Sequence, residues 1–235
     1  MINNNLLVFV AALLPALIAL YIIYKKDSKN PEPTGLLAKA VFFGVLSAPL
    51  SLLISTPLAA MGLYGEDSNT VVGKLALAFF GAAIPEECMK LLMLWLVVRN
   101  NKYFDEHFDG IVYAVCIGMG FAGIENVMYL AGGIEDDTWI GIGIGRALFS
   151  IPGHFLFAVC MGYYYSLYHF GVSRKLVTKA MILIAPVMAH GIFDSILMCM
   201  QIDDTLSLVG MVIFLFFFIR LKNKGKERIN QLKGK

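Results

Sequence analysis

Residues 72–98 read VGKLALAFFGAAIPEECMKLLMLWLVV. As a helix this run is long enough to cross about 30 Å of hydrocarbon at about 1.5 Å per residue. Its middle nevertheless holds Glu86, Glu87 and Lys90 directly behind Pro85. Apolar flanks around a charged centre mark a membrane span that carries function rather than only structure. Six more apolar runs of spanning length lie on either side, at 6–24, 36–63, 109–132, 141–168, 179–200 and 205–221. The chain as a whole is 58% hydrophobic and only 15% charged, with a mean hydropathy of +0.72. Soluble domains run about 45–50% apolar and about 25% charged, so a water-soluble globule is excluded. The expectation is an all-α polytopic membrane protein of about seven transmembrane helices.

The loops orient it. Basic residues follow the first, third, fifth and seventh spans: Lys25, Lys26 and Lys29; Arg99 and Lys102; Arg174 and Lys175; and the tail from Arg220 to Lys235. The other loops hold no lysine or arginine but carry Glu66 and Asp67, Glu135 to Asp137, and Asp203 and Asp204. This alternation puts the N-terminus outside and the C-terminus in the cytoplasm. The first span is not a secretory signal: MINNN lacks a basic residue, no small-residue cleavage site follows, and Lys25 and Lys26 act as a stop. Residues 1–221 form a single transmembrane domain with a core at about 80–200. Residues 222–235 are a basic cytoplasmic tail, expected as a frayed helix or disordered and held near anionic lipid. The net charge of +2 gives no reason to expect a nucleic-acid partner. Cys88, Cys116, Cys160 and Cys199 sit in apolar stretches without a CxxC pair and read as small buried residues.

Six charges lie deep in the spans: Glu86, Glu87, Lys90, Glu125, Arg146 and Asp194, with His154 and His190 beside them. On insertion scales they cost together on the order of 15–20 kcal/mol, at or above the whole stability of a typical domain at about 5–15 kcal/mol. Such a set implies a functional cavity. Pro85 should kink its span and free a carbonyl, and Pro152-Gly153 should break the fifth. Glu86 and Lys90 are i, i+4 with the acid first, the favourable order for an ion pair; His190 and Asp194 share the same spacing. Glu86 and His190 lie about 16 Å into the membrane and Glu125 about 24 Å beyond Asp109. Two carboxylates and two imidazoles at such depths can activate a water and stabilise the resulting oxyanion. They can equally hold a zinc ion with an open position. Both routes lead to hydrolysis and both stay open. No HExxH or GxSxG is present, and the serines within the spans have no base near them in sequence.

Taken together, EExxK at Glu86, Glu87 and Lys90, FxxxEN ending at Glu125-Asn126, a lone His154, and HxxxD at His190 and Asp194 resemble the PrsW family of bacterial membrane proteases. That family is related to the CAAX prenyl endopeptidases and the APH subunit of gamma-secretase. The resemblance covers about residues 80–200 and implies an enzyme of the bacterial cytoplasmic membrane. It would cut a single-span membrane protein, an anti-sigma factor, near the outer leaflet. It implies Glu86 as the base for the attacking water, working with Glu125 or His154, while His190 and Asp194 orient substrate and stabilise the oxyanion. Glu87 belongs to the same catalytic set, though with Lys90 its part is to hold the cavity together. Asn126 and Arg146 are supporting residues. If a metal is bound, its ligands are expected among Glu86, Glu125, His154 and His190; Zn2+ and a metal-free site both fit.

Two other classes compete. A proton-coupled transporter would also keep intramembrane Glu, Asp and His as a relay, but no inverted repeat with paired broken helices is visible. A non-catalytic membrane scaffold would keep them to bind another helix. Gly118 to Gly123 matches GxGxxG, but no strand precedes it, so close helix packing explains it better than nucleotide binding.

Overall fold

The computed structural model describes residues 4–27, 30–65, 68–135, 138–173 and 175–233. Lys29, Glu66, Asp67, Asp136, Asp137 and Arg174, which contribute to the loop-charge alternation, lie outside the described residues. The chain is all helix apart from its connections: α1 (Asn4–Lys26), α2 (Thr34–Ala60), α3 (Val71–Ala76), α4 (Ile84–Val98), α5 (Asp109–Gly132), α6 (Trp139–Gly145), α7 (Ile151–His169), α8 (Leu176–Cys199) and α9 (Asp204–Leu232). Starts are set by local chemistry. The Thr70 hydroxyl accepts the Gly73 N–H at 3.1 Å, and the Asp203 carboxylate accepts that of Leu206 at 2.8 Å, each satisfying an otherwise orphaned donor.

Among the described residues, six helices are long and apolar enough to span a membrane, the fourth of them being the run Trp139–His169. The charged run 72–98, expected as a further span, is also helical throughout. A π-helical turn, Leu77–Ala83, joins α3 to α4. A second π turn, Arg146–Ser150, joins α6 to α7. Each ends two residues before a proline, Pro85 or Pro152. Proline lacks an N–H and its ring crowds the carbonyl four residues back, here that of Gly81 or Leu148, and both carbonyls belong to the widened turns. The expected kink at Pro85 and break at Pro152-Gly153 are thus absorbed by π turns, and the helices run on.

The middle of the bundle is α5, buried almost without interruption from Asp109 to Gly123. It packs on α1, α2, α4 and α7. Glycine makes this possible. A Cβ on Gly120 would stand 2.1 Å from the Val41 carbonyl oxygen, and one on Gly162 of α7 would stand 2.3 Å from that of Gly110. Backbone therefore meets backbone at both crossings, which accounts for the GxGxxG pattern as packing.

One end of the bundle is closed by a polar clasp. Tyr113 donates its hydroxyl to the Glu32 carboxylate and accepts from the Asn101 amide at 2.7 Å. Asp109 takes the N–H groups of Asp105 and Glu106 at 3.0 and 2.7 Å. The Glu32 N–H reaches Asp27 at 3.3 Å. Burial is the main cause that lifts Asp27 to about 6 and Glu32 to about 7. At this same end, α9 continues as helix to Leu232 rather than fraying, a correction to the expectation for 222–235. Ile229 and Leu232 are buried in the main core cluster with Ile23, and Arg228 lies over the Tyr163 and Tyr164 rings while donating to the Cys160 sulfur.

Candidate active site

Glu86, Glu87 and Lys90 occupy the first turns of α4, immediately after the π turn and Pro85. Glu125 and Asn126 come from α5, Arg146 from the second π turn, His154 from the start of α7, and His190 and Asp194 from α8. All converge into one network. The Lys90 ammonium lies 2.8 Å from Glu87 Oε1, 3.2 Å from Glu86 Oε2 and 3.3 Å from His154 Nδ1. An ammonium has three hydrogens and no acceptor, so all three are spent. His154 Nδ1 must then accept, which leaves its Nε2–H to donate to Glu125 Oε2 at 2.9 Å. The aromatic face of Phe121 closes over Lys90 at 3.8 Å, a cation–π contact that replaces water above the charge.

Glu125 is held from two sides, by His154 and by Arg146 at 2.6 Å. Arg146 also donates to the Asn126 amide oxygen at 2.5 Å, while the Asn126 nitrogen donates to the Ala12 carbonyl at 3.0 Å. Asn126 thereby fastens the site to α1. On the opposite side the His190 ring is clamped between acids, Nδ1 at 3.0 Å from Glu87 Oε1 and Nε2 at 3.1 Å from Asp194 Oδ2. Its Nε2 is also 3.9 Å from Glu86 Oε2. Phe157 stacks on His190 with ring centres 4.7 Å apart, and His154 meets it edge-on at 5.2 Å.

Depth sorts the acids. The Glu87 side chain is fully buried, whereas Glu86, Glu125 and Asp194 keep 13%, 14% and 20% exposure. Glu86 commits one oxygen to Lys90, and its Oε1 has no partner among the described residues. The open rim of the site is thus carboxylate and its floor is the Glu87–Lys90–His190 ion cluster.

One metal-capable set exists among the described residues. Donor atoms of Glu86, Glu87, His154 and His190 lie within 4.8 Å of one another. Two imidazoles and two carboxylates suit zinc, and Glu87 Oε2 is buried without a partner, an orphan a cation would satisfy. The residue types fit such an ion; to ligate it, His154 Nδ1 must release Lys90 and His190 must give up a proton now held toward Glu87 or Asp194. The compact set includes Glu87, where the sequence reading has Glu125; Glu125 stands one hydrogen bond away, behind His154. Sequence reasoning had Phe121 only as the first residue of FxxxEN and missed both its place over Lys90 and the stacking of Phe157 on His190, because core aromatics give no local signal of their contacts. It also missed the π turns. Their trace was readable as an Ile-Pro pair one or two residues ahead of Glu86 and His154.

A polytopic helical membrane protein with this buried set of acids and histidines at its centre has the make-up of an intramembrane hydrolase. Comparison with known proteins is decisive: the profile of the PrsW family, described as an intramembrane metalloprotease, matches residues 32–221, and the chain belongs to this family. It is 33% identical over 192 residues to "Protease PrsW" of Clostridioides difficile, covering 81% of this chain and 79% of that one. The protein of the same name from Oceanobacillus iheyensis is 34% identical over 224 residues, 93% and 96% of the two chains, and that from Bacillus subtilis 28% over 223 residues, 94% and 96%. No solved structure matches. The protein is a multi-pass membrane protease, and the carrier and scaffold readings fall away.

Proposed function

We propose that the enzyme hydrolyses a peptide bond of a single-span membrane protein, an anti-sigma factor by resemblance, close to the outer leaflet. Glu86 serves as the base. The observation that carries this reading is the asymmetry of its carboxylate: one oxygen is fixed by Lys90, the other has no partner among the described residues, and the side chain keeps 13% exposure. A general base needs that combination of fixed orientation and a free lone pair. In this reading Glu86 takes a proton from the attacking water. His190, held at Nδ1 by Glu87, exchanges Asp194 for the oxygen that gains charge on the scissile carbonyl and donates its Nε2–H there. Glu125, kept in place by Arg146 and His154, accepts the water's second hydrogen, and Glu86 returns the proton it took to the departing amine. Glu87 and Lys90 stay deep and fix the geometry. In the metal-bound alternative, a zinc ion held by three of Glu86, Glu87, His154 and His190 would supply Lewis-acid polarisation of the carbonyl and the water, in place of the His190 hydrogen bond. The outer-leaflet cut is supported by the depth of Glu125, about 24 Å along α5 from Asp109, together with the loop charges.

The test is cleavage of a single-span substrate in proteoliposomes. Glu86→Gln should lower turnover by about 10²–10⁴-fold with thermal unfolding unchanged. Activity within a few fold of wild type would remove Glu86 as the base. Elemental mass spectrometry of wild type beside His190→Ala decides the metal. Near one zinc per chain, lost in the variant, assigns His190 as a ligand; no metal in either leaves the carboxylate as sole activator.

A further inference from the structure

A groove of about 690 Å³ opens on the flank of the bundle between α1, the second π turn with the start of α7, and α9. Its body is apolar: Leu14, Ile18 and Ile22 on one wall face Leu148 and Phe155 on the other. Leu14, Ile18 and Leu148 are each more than half exposed, so in a membrane this wall meets lipid. The groove's only charged lining residues are Lys26, Lys222 and Lys226, all basic. None of the three has an ion-pair partner among the described residues. Lys224 takes Glu227, while Asp27 turns away to accept the Glu32 N–H. Lys222 and Lys226 are one turn apart on the same face of α9. From Lys26 to Leu14 the helix rises about 18 Å, close to the roughly 15 Å of hydrocarbon in one leaflet. The groove therefore has the length of one acyl layer, with cations at one end only.

We propose that this groove binds an anionic phospholipid, its phosphate held by Lys26, Lys222 and Lys226 and an acyl chain lying along Ile18 and Leu148. The charge pattern selects the occupant. A neutral transmembrane helix would leave three cations uncompensated, whereas an anionic headgroup meets them at the depth where headgroups lie. The site also touches the catalytic network. Leu148 belongs to the π turn that presents Arg146 to Glu125, and Pro152, two residues before His154, lines the groove. Lipid occupancy therefore packs the turn that positions both residues.

The experiment is native mass spectrometry of the full chain released from neutral detergent. Phosphatidylglycerol or phosphatidylcholine of identical chains is titrated into wild type and into Lys26→Gln/Lys222→Gln/Lys226→Gln. Wild type should hold phosphatidylglycerol about tenfold or more tightly, and the triple variant should hold both lipids equally, at the wild-type level for phosphatidylcholine. Equal binding of the two lipids by wild type overturns the proposal, as does a preference that survives in the triple variant. A charge-neutral single-span peptide that displaces phosphatidylglycerol and binds wild type and triple variant alike also overturns it, assigning the groove to a helix. In proteoliposomes the lipid preference should carry into turnover, phosphatidylglycerol raising it for wild type more than for the triple variant. Binding is read without activity, so its outcome is separate from that of the proposed protease mechanism.

Discussion

Lys90 shows what one residue contributes at this depth. Its three hydrogens meet three acceptors from α4 and α7, and it is the cation against which the fully buried Glu87 is placed. Removing one partner of a buried pair leaves the other charge without compensation, at about 3–5 kcal/mol. Lys90→Met should therefore lower stability by about that amount, read as thermal unfolding in detergent. Lys90→Met/Glu87→Leu should recover part of it, because the deepest stranded charge is gone while Glu86 still lacks its lysine. If the double variant is as unstable as the single, the lysine is not acting through Glu87. The i, i+4 spacing made the Glu86–Lys90 pair legible in the sequence. The closer Glu87–Lys90 contact and the Lys90–His154 contact were not, since the first depends on rotamers and the second on how α4 and α7 pack.

Helices approach so closely in this bundle that side-chain size at crossings governs it. Gly120→Ala drives a methyl into the Val41 carbonyl and should cost about 1–3 kcal/mol. Gly141→Ala, where a Cβ meets nothing within 4 Å, should leave the unfolding midpoint unchanged. Equal effects at the two sites would refute backbone contact as the cause. The clasp at the other end of α5 responds to pH. Burial holds the folded-state values of Asp27 and Glu32 at about 6 and about 7, above their ordinary range near 4. The folded chain then binds more protons than the unfolded one over that interval, so stability is greatest below it and falls as pH rises through about 4 to 7. The unfolding midpoint should drop between pH 5 and pH 8, and Glu32→Gln should flatten the drop. A midpoint that rises over this range would contradict the buried clasp.

At the scale of the molecule, the C-terminal segment is part of the fold. Its basic composition reads as a loose tail, yet Ile229 and Leu232 are buried against Ile23. Burying side chains of this kind is worth about 1.5–3 kcal/mol each. Ile229→Asp should lower the unfolding temperature clearly, whereas Lys224→Ala at an exposed position should not. Tolerance of Ile229→Asp would return residues 222–233 to the status of a tail. The same docking forms one wall of the basic-ended groove.

Periodicity and composition alone pointed to a helical membrane bundle, to six of its helices as spans, and to the acids, lysine and histidines that the fold brings together. Uncompensated charges in long apolar runs are too costly to have a bland explanation, and such runs are readable residue by residue. Tertiary structure decided which carboxylate sits at the floor and which at the rim, which donors lie within one ion's reach, and how two prolines are absorbed by π turns. It also decided that a basic tail becomes a buried helix. Each of these depends on distances between helices far apart in sequence, set by glycine crossings and side-chain rotamers that no local pattern encodes.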